Sequence, residues 1–192
     1  IFKNMKEEGK LTAPVADWPT KRRWVAEAYE KLEQAGYTIT SAYTAVKNPK
    51  TTKFIYRDRL WSGADMVGLG VSSFGHLGGI HYQNITNIDH YCDSVEAKKA
   101  PVRRALMTQE EERFIRELIL QWKLGRVDKK YFQKKFGISV TERFSLIITK
   151  WKENGDLIEE GDYLVLIRDA LLRVDSLLHQ FFLPHHQDAR YV

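Results

Sequence analysis

"GADMVGLGVSSFGHLGGIHYQN", residues 63–84, holds six of the twelve glycines in a chain of 192 residues. Two histidines, a Ser-Ser pair and a closing Gln-Asn pair share the stretch. Glycine is disfavoured inside regular elements, so this density marks tight turns or a close approach of backbone to another group. That group is a ligand or a neighbouring strand, and periodicity leaves both open. The first part, "DMVGLGVSS", has an apolar run that suits a strand buried on both faces.

The flanks set the context. Residues 19–35 read as a helix: Pro19 suits its first turn, Trp24, Val25, Ala28, Tyr29 and Leu32 recur at helical spacing, and Gly36 stops it. "YTITSAYTAV" is rich in β-branched and aromatic residues and reads as a strand. After a turn at "KNPK", "TTKFIYRDRLW" reads as a second extended stretch, which makes the glycine-rich segment the third. Helix, strand, strand, strand predicts the closing part of an α/β sheet. A short helix follows over 85–95, with Asn84 or Thr86 as its cap.

Composition shifts at "EAKKAPVRRAL", where charges and a proline without apolar period predict a linker. The expected domains are therefore 1–97, α/β, and 98–192, mainly α. In the second, Thr108 and Glu111 of "TQEE" form a capping-box pattern ahead of Phe114, Ile115, Leu118, Ile119 and Trp122, and Gly125 ends the helix. "DKKYFQKKFG" predicts a second helix, and "SVTERFSLIITKWKENG" a third, with Phe144, Ile147, Ile148 and Trp151 on one face. "GDLIEEGDYLVLI" predicts a β-hairpin turning at 160–162, and 168–182 a last amphipathic helix. Three helices and a hairpin make a winged-helix-like arrangement.

With 43% hydrophobic and 29% charged residues, the chain has the composition of a globular protein. No apolar run approaches the ~20 residues of a membrane-spanning helix. One cysteine, Cys92, excludes an intrachain disulfide and a cysteine-ligated cluster within the chain, and points to a reducing, cytoplasmic compartment. Thirty basic against 25 acidic residues favour acidic partners: phosphates, carboxylates or nucleic acid. The start, "IFKNMKEEGKLTAPVADWP", has no initiator Met and no signal-peptide pattern, as expected of a fragment of something longer.

Gly68 and Gly70 match the first two positions of G-x-G-x-x-G, but the next glycine is Gly75 and no long helix opens there, so a dinucleotide fingerprint is a forced match. His76, His81 and His90 fall within fifteen positions without metal-ligand spacing, and His185-His186 reads as a solvated tail, so no metal site is assigned. Lys53, Arg57, Arg59, Arg103 and Arg104 can bind carboxylates or phosphates or form a solvated face. The winged-helix pattern invites nucleic acid, but the third helix mixes Glu142, Arg143, Lys150, Lys152 and Glu153 and commits its apolar face to packing, which makes that partner unlikely.

"LWSGADMVGLGVSSFGHLGGIHYQNITNIDHY" resembles the end of the catalytic barrel in the oxygen-independent coproporphyrinogen III oxidase-like family of radical S-adenosylmethionine (SAM) enzymes. The resemblance rests on Trp61, Gly63, Asp65, the run Gly68 to Ser73, Gln83-Asn84 and Tyr91, and upstream on "AYEKLEQAGY". It implies the closing part of a partial (β/α) barrel followed by the family's C-terminal domain. It implies SAM and a 4Fe-4S cluster in the full-length protein, with the cluster's cysteines in an N-terminal half outside this chain. Gly68, Gly70, Ser72, Ser73 and Phe74 are then expected to face SAM at the barrel's C-terminal mouth. Gln83 and Asn84, with Arg57 and Arg59, are expected to meet the substrate.

The implied activity is that of a radical SAM oxidoreductase, the oxidative decarboxylation of tetrapyrrole propionates in haem biosynthesis. A Phe-Gln pair of the oxidases is replaced here by Ile55-Tyr56. The other reading is therefore a haem- or porphyrin-binding chaperone-type relative without oxidase activity.

Overall fold

The computed structural model describes residues 8–9 and 15–187, so most of the opening stretch read above lies outside the described residues. The fold is mixed α/β, with three small antiparallel sheets among the described residues. Its first elements are α1 (Trp18–Gln34), the β1–β2 hairpin (Thr38–Ser41 and Thr44–Val46), α2 (Ile55–Trp61), β3 (Phe74–Leu77), β4 (Ile80–Asn84), α3 (Ile88–Glu96) and β5 (Val102–Met107). Then come α4 (Glu110–Trp122), β6 (Arg126–Asp128), α5 (Lys129–Phe136), α6 (Val140–Arg143), α7 (Ser145–Glu153), β7 (Leu157–Glu160) and β8 (Tyr163–Leu166). Short helices α8 (Arg168–Leu172), α9 (Val174–Leu178), a 3-10 turn (His179–Phe181) and α10 (Pro184–Gln187) close the described chain.

The core is built on α4. Its N-terminus is capped one residue later than the sequence pattern suggests: the Glu112 carboxylate accepts the Gln109 N–H at 2.7 Å. Phe114, Ile115, Leu118 and Trp122 then recur at helical spacing on a buried face. Trp122 meets the Trp151 ring edge-on at 5.3 Å, Trp151 meets Phe181 at 5.2 Å, and Phe114 meets Phe132 at 5.5 Å. Each such ring removes ~150–250 Å² from water, so this cluster dominates stability. The sheet β6-β8-β7 adds Val127, Leu157, Leu164 and Leu166 to the same core. The hairpin of β7 and β8 was legible in the sequence; β6, which pairs with β8 and not with β7, was not.

Several expected elements differ. The third helix breaks at Phe144, whose non-helical backbone separates α6 from α7 and whose ring packs edge-on against Phe181 at 4.9 Å. The last helix is likewise broken, at Arg173, whose guanidinium turns in to pair with the buried Asp156. "TTKFIYRDRLW" is not extended: residues 55–61 coil into α2, where Arg57 donates to Thr44 Oγ1 at 2.9 Å and stacks on Phe54 and Trp61. "YTITSAYTAV" folds back as the β1–β2 hairpin, and the helix read over 85–95 is capped by Asn87, which accepts the His90 N–H. Part of the expected linker is β5, the outer strand of β3-β4-β5. "DMVGLGVSS" forms no strand among the described residues; its ladder is a single bridge between Met66 and His76.

Burial is unequal along the chain. Before α4, the buried apolar residues are Tyr29, Ala42 and Val46, whereas Ile55, Tyr56, Val67, Leu69, Leu77 and Met107 are exposed. This region is held instead by polar ties to the α4 core. Ala42 N–H donates to the Lys123 carbonyl at 2.9 Å, and the Tyr43 hydroxyl donates to Asp175 at 2.7 Å.

The firmest tie is Glu117, a buried carboxylate on α4. It takes the Tyr131 hydroxyl at 2.5 Å and Lys135 Nζ at 2.8 Å, and both donors also reach the Ser62 carbonyl. A buried charge is tolerated only when paired and hydrogen-bonded in this way. The arrangement demands glycine next door: a Cβ on Gly63, whose φ is +79°, would stand 1.8 Å from Glu117 Oε1. Gly63→Ala is therefore expected to cost about 2–4 kcal/mol, from clash and left-handed backbone together. Urea denaturation measures this, and a wild-type midpoint would mean that Glu117 moves aside freely.

Candidate functional site

Residues 67–73 form a loop whose backbone is tied down from one side. Gly68 N–H donates to the Tyr82 hydroxyl at 3.1 Å and Gly70 N–H to the Tyr91 hydroxyl at 3.0 Å. The Asn84 amide donates to both carbonyls, Gly68 at 3.0 Å and Gly70 at 2.9 Å. Ser72 sits at φ 61°, a left-handed conformation that costs a non-glycine residue about 1–3 kcal/mol. It is held there by its N–H on the Ile85 carbonyl at 2.9 Å and by the Gln83 amide on its own carbonyl at 3.3 Å. Ser73 Oγ closes the turn on the Leu69 carbonyl at 2.6 Å.

A Cβ on Gly68 would stand 2.2 Å from the Phe74 carbonyl oxygen, so the chain's own backbone occupies that space. The side chains of Val67, Leu69 and Val71 remain exposed, Leu69 at 82%.

Beside this loop, between the β3-β4-β5 sheet and α4, lies a cavity of about 440 Å³. That volume falls in the ~300–1,000 Å³ range of small-molecule sites. Phe74, Tyr82, Ile115, Ile119, Phe182 and Leu183 make its wall mostly apolar. Its polar groups are few: His81, Gln83, Arg104 and Arg116, with Thr108, Glu112 and His186 also on the lining. Arg104 Nε is held by Gln83 Oε1 at 2.9 Å. Arg116 is half-buried, and among the described residues it makes no ion pair or hydrogen bond. Burial holds its guanidinium below the usual value, which marks a cation without a full counter-charge.

Phe74 and His81 stack across the sheet at 5.8 Å, and His76 lies 6.1 Å from His81. The Nδ1 atoms of both histidines are buried without a hydrogen-bond partner among the described residues. Burial first, then the Arg116 charge, hold both imidazoles below the usual histidine value. Both are neutral near pH 7.

The residues expected to form one site divide in two. Gly68, Gly70, Ser72, Ser73 and Asn84 build the loop, while Phe74 and Gln83 reach the cavity. Arg57 belongs elsewhere, bound to Thr44 and paired with Asp58, and Arg59 is exposed on α2. His90 and Cys92 are exposed on α3, and Arg103 donates to Thr86. Sequence reading missed His81 and Tyr82 as lining residues, and Arg116 altogether. Arg116 follows Glu112 by four residues and precedes Ile119 by three, a second face of α4 that the amphipathic pattern could have revealed. The His185-His186 pair is solvated only in part: His185 is exposed, whereas His186 packs half-buried against Glu112. Among the described residues no helix is long and apolar enough to cross a membrane.

This arrangement of elements is shared with a radical SAM enzyme of known structure. The match is to coproporphyrinogen III oxidase (HemN) from Escherichia coli, with a TM-score of 0.70 at 15% identity, covering 89% of this chain and 43% of that one. The resemblance expected from residues 61–91 is thus met at the level of the fold. The chain spans under half the length of that structure. No protein-family model matches the sequence, and no curated protein does.

Asn84→Ala leaves two inward-facing carbonyls without their donor and is expected to cost about 2–3 kcal/mol. Hydrogen exchange should show Gly68 and Gly70 amides losing protection while α4 keeps its own; unchanged protection at the glycines would refute the clamp. The histidines make a separate test. Their folded-state values lie below the unfolded one, so the stability they contribute is present above about pH 6.5 and is lost as pH falls through the folded value. NMR titration should give His76 and His81 midpoints below 6.5, and ordinary midpoints would remove the burial argument.

Proposed function

We propose that this chain forms the C-terminal part of a radical SAM enzyme resembling oxygen-independent coproporphyrinogen III oxidase, and that its cavity receives a tetrapyrrole. The observation that carries the reading is Arg116, a half-buried guanidinium without an ion pair among the described residues, set in an apolar wall. Arg104 stands on the same wall with its Nε fixed by Gln83. A tetrapyrrole offers the complementary shape: a broad apolar macrocycle edged by propionate carboxylates. Guanidinium groups pair with carboxylates through charge-assisted, forked hydrogen bonds. Neutral His81, stacked on Phe74, adds a planar floor.

On this reading residues 1–97 complete a partial (β/α) barrel and 98–192 form a winged-helix-like domain. The exposed row of Val67, Leu69 and Val71 supports a preceding half that pairs with it, as does coverage of 43% of the related structure. Gly70, Ser72, Ser73 and Phe74 form the edge that faces SAM, with Gly68 letting the loop close behind them. Gln83 and Asn84 act by holding that edge and Arg104 in place. The propionate contact expected of Arg57 and Arg59 passes to Arg104 and Arg116. The residues present do not fit a 4Fe-4S cluster: one cysteine, exposed on α3, cannot ligate it, so the ligands belong to the other half.

The alternative is a haem- or porphyrin-binding relative without oxidase activity, favoured by the histidines His81 and His186 on the cavity lining. One experiment addresses both. The complete gene product, reconstituted anaerobically with SAM and reductant, is incubated with coproporphyrinogen III and its products are separated by mass. Loss of propionate carboxyl groups supports the oxidase. Unchanged substrate with stoichiometric haem binding supports the alternative. Arg116→Ala and Arg104→Ala are each expected to weaken tetrapyrrole binding about 10–100-fold. Unaltered affinity in both variants would empty the cavity of this role.

A further inference from the structure

The mouth of the cavity carries a second chemical group. Glu112 Oε1 lies 2.8 Å from Nε2 of His186 and 3.5 Å from Nε2 of His185. One ligand atom from each residue falls within 4.8 Å of the other two. Glu112 is fixed from behind, because its other oxygen caps α4 through the Gln109 N–H at 2.7 Å. A helix end anchored in the core therefore presents Oε1 with little freedom. The histidines come from α10, and adjacent helical residues ordinarily diverge by about 100°. Here both rings turn to one oxygen, with centroids 4.1 Å apart.

We propose that Glu112, His185 and His186 bind a divalent transition-metal ion of the zinc type, with a fourth position open on the cavity side. Two imidazoles and a carboxylate form a donor set that suits Zn²⁺, Co²⁺ and Ni²⁺. Three protein ligands with one vacant position is the arrangement of reactive zinc sites rather than purely structural ones. Tetrahedral bonds of about 2.0–2.1 Å place donor atoms about 3.3 Å apart. His185 already stands near that distance from Glu112, and His186 has to withdraw by about half an ångström, within reach of a side-chain rotation. No other chain has to contribute a ligand, so the proposal is independent of the tetrapyrrole reading.

A bound ion has two consequences for the cavity. It fastens residues 182–186, which supply Phe182 and Leu183 to the wall, to α4. It also offers an exchangeable position to a carboxylate or imidazole on a ligand inside.

Zinc binding to the intact, untagged protein is measured by calorimetry, with Co²⁺ difference spectra as the second readout. One Zn²⁺ per chain is expected at this site, with a visible Co²⁺ absorption that Zn²⁺ displaces. His185→Ala/His186→Ala should remove this binding or weaken it at least tenfold, as should Glu112→Gln. Circular dichroism checks the fold of each variant. If Glu112→Gln loses its helix cap, the double histidine variant decides, because those residues lie in a four-residue helix and cap no other element among the described residues. Undiminished zinc affinity in that variant, or no stoichiometric binding in the wild type, overturns the site.

Discussion

A buried carboxylate organises this molecule. Glu117 faces neither solvent nor the aromatic core; it fills the junction where α4, α5 and the turn after α2 meet. Tyr131 and Lys135, one helical turn apart on α5, both reach it and the Ser62 carbonyl, so one charge fixes three segments. Its cost is set by the pairing: desolvating a carboxylate is unfavourable by several kcal/mol unless such donors surround it. The same cluster pushes the Tyr131 hydroxyl well above its usual value, through burial first and then its bond to the carboxylate.

That junction lets α4 serve three surfaces at once. Phe114, Leu118 and Trp122 point into the core, Glu117 holds the α5 junction, and Glu112, Ile115, Arg116 and Ile119 line the cavity. A helix with 3.6 residues per turn has room for these three stripes only when each is narrow. The cavity lies against the third of these stripes. The β3-β4-β5 sheet supplies the opposite wall through Phe74, His81, Tyr82, Gln83 and Arg104.

What the sequence disclosed follows from locality. α1, α4, α5 and the β7–β8 hairpin carry their own caps, periods or turn residues, and they were legible. α2 was not, because Phe54, Ile55 and Tyr56 suggest a strand, while the tertiary bond from Arg57 to Thr44 holds the segment as a helix. β5 was hidden because all six of its residues are exposed, so "VRRALM" shows no alternation of buried and exposed positions. The glycine cluster was visible as a special backbone, yet its partners Tyr82, Asn84 and Tyr91 act at distances of 14 to 21 residues. The cavity was least legible: Phe74, Arg104, Arg116 and His186 come from four segments and meet only through the fold.

The unequal burial bears on how the exposed edge works. Residues 67–73 turn apolar side chains outward, yet their backbone is not loose, since Asn84, Tyr82, Tyr91 and Ile85 bind five of its polar groups. The strain at Ser72 and the conformational entropy of the loop are therefore offset within this chain. A group that meets such an edge has little backbone left to order, which lowers one part of the cost of association. The same holds at the cavity wall, where Gln83 fixes the Nε of Arg104. At both places the polar groups are positioned by bonds within this chain.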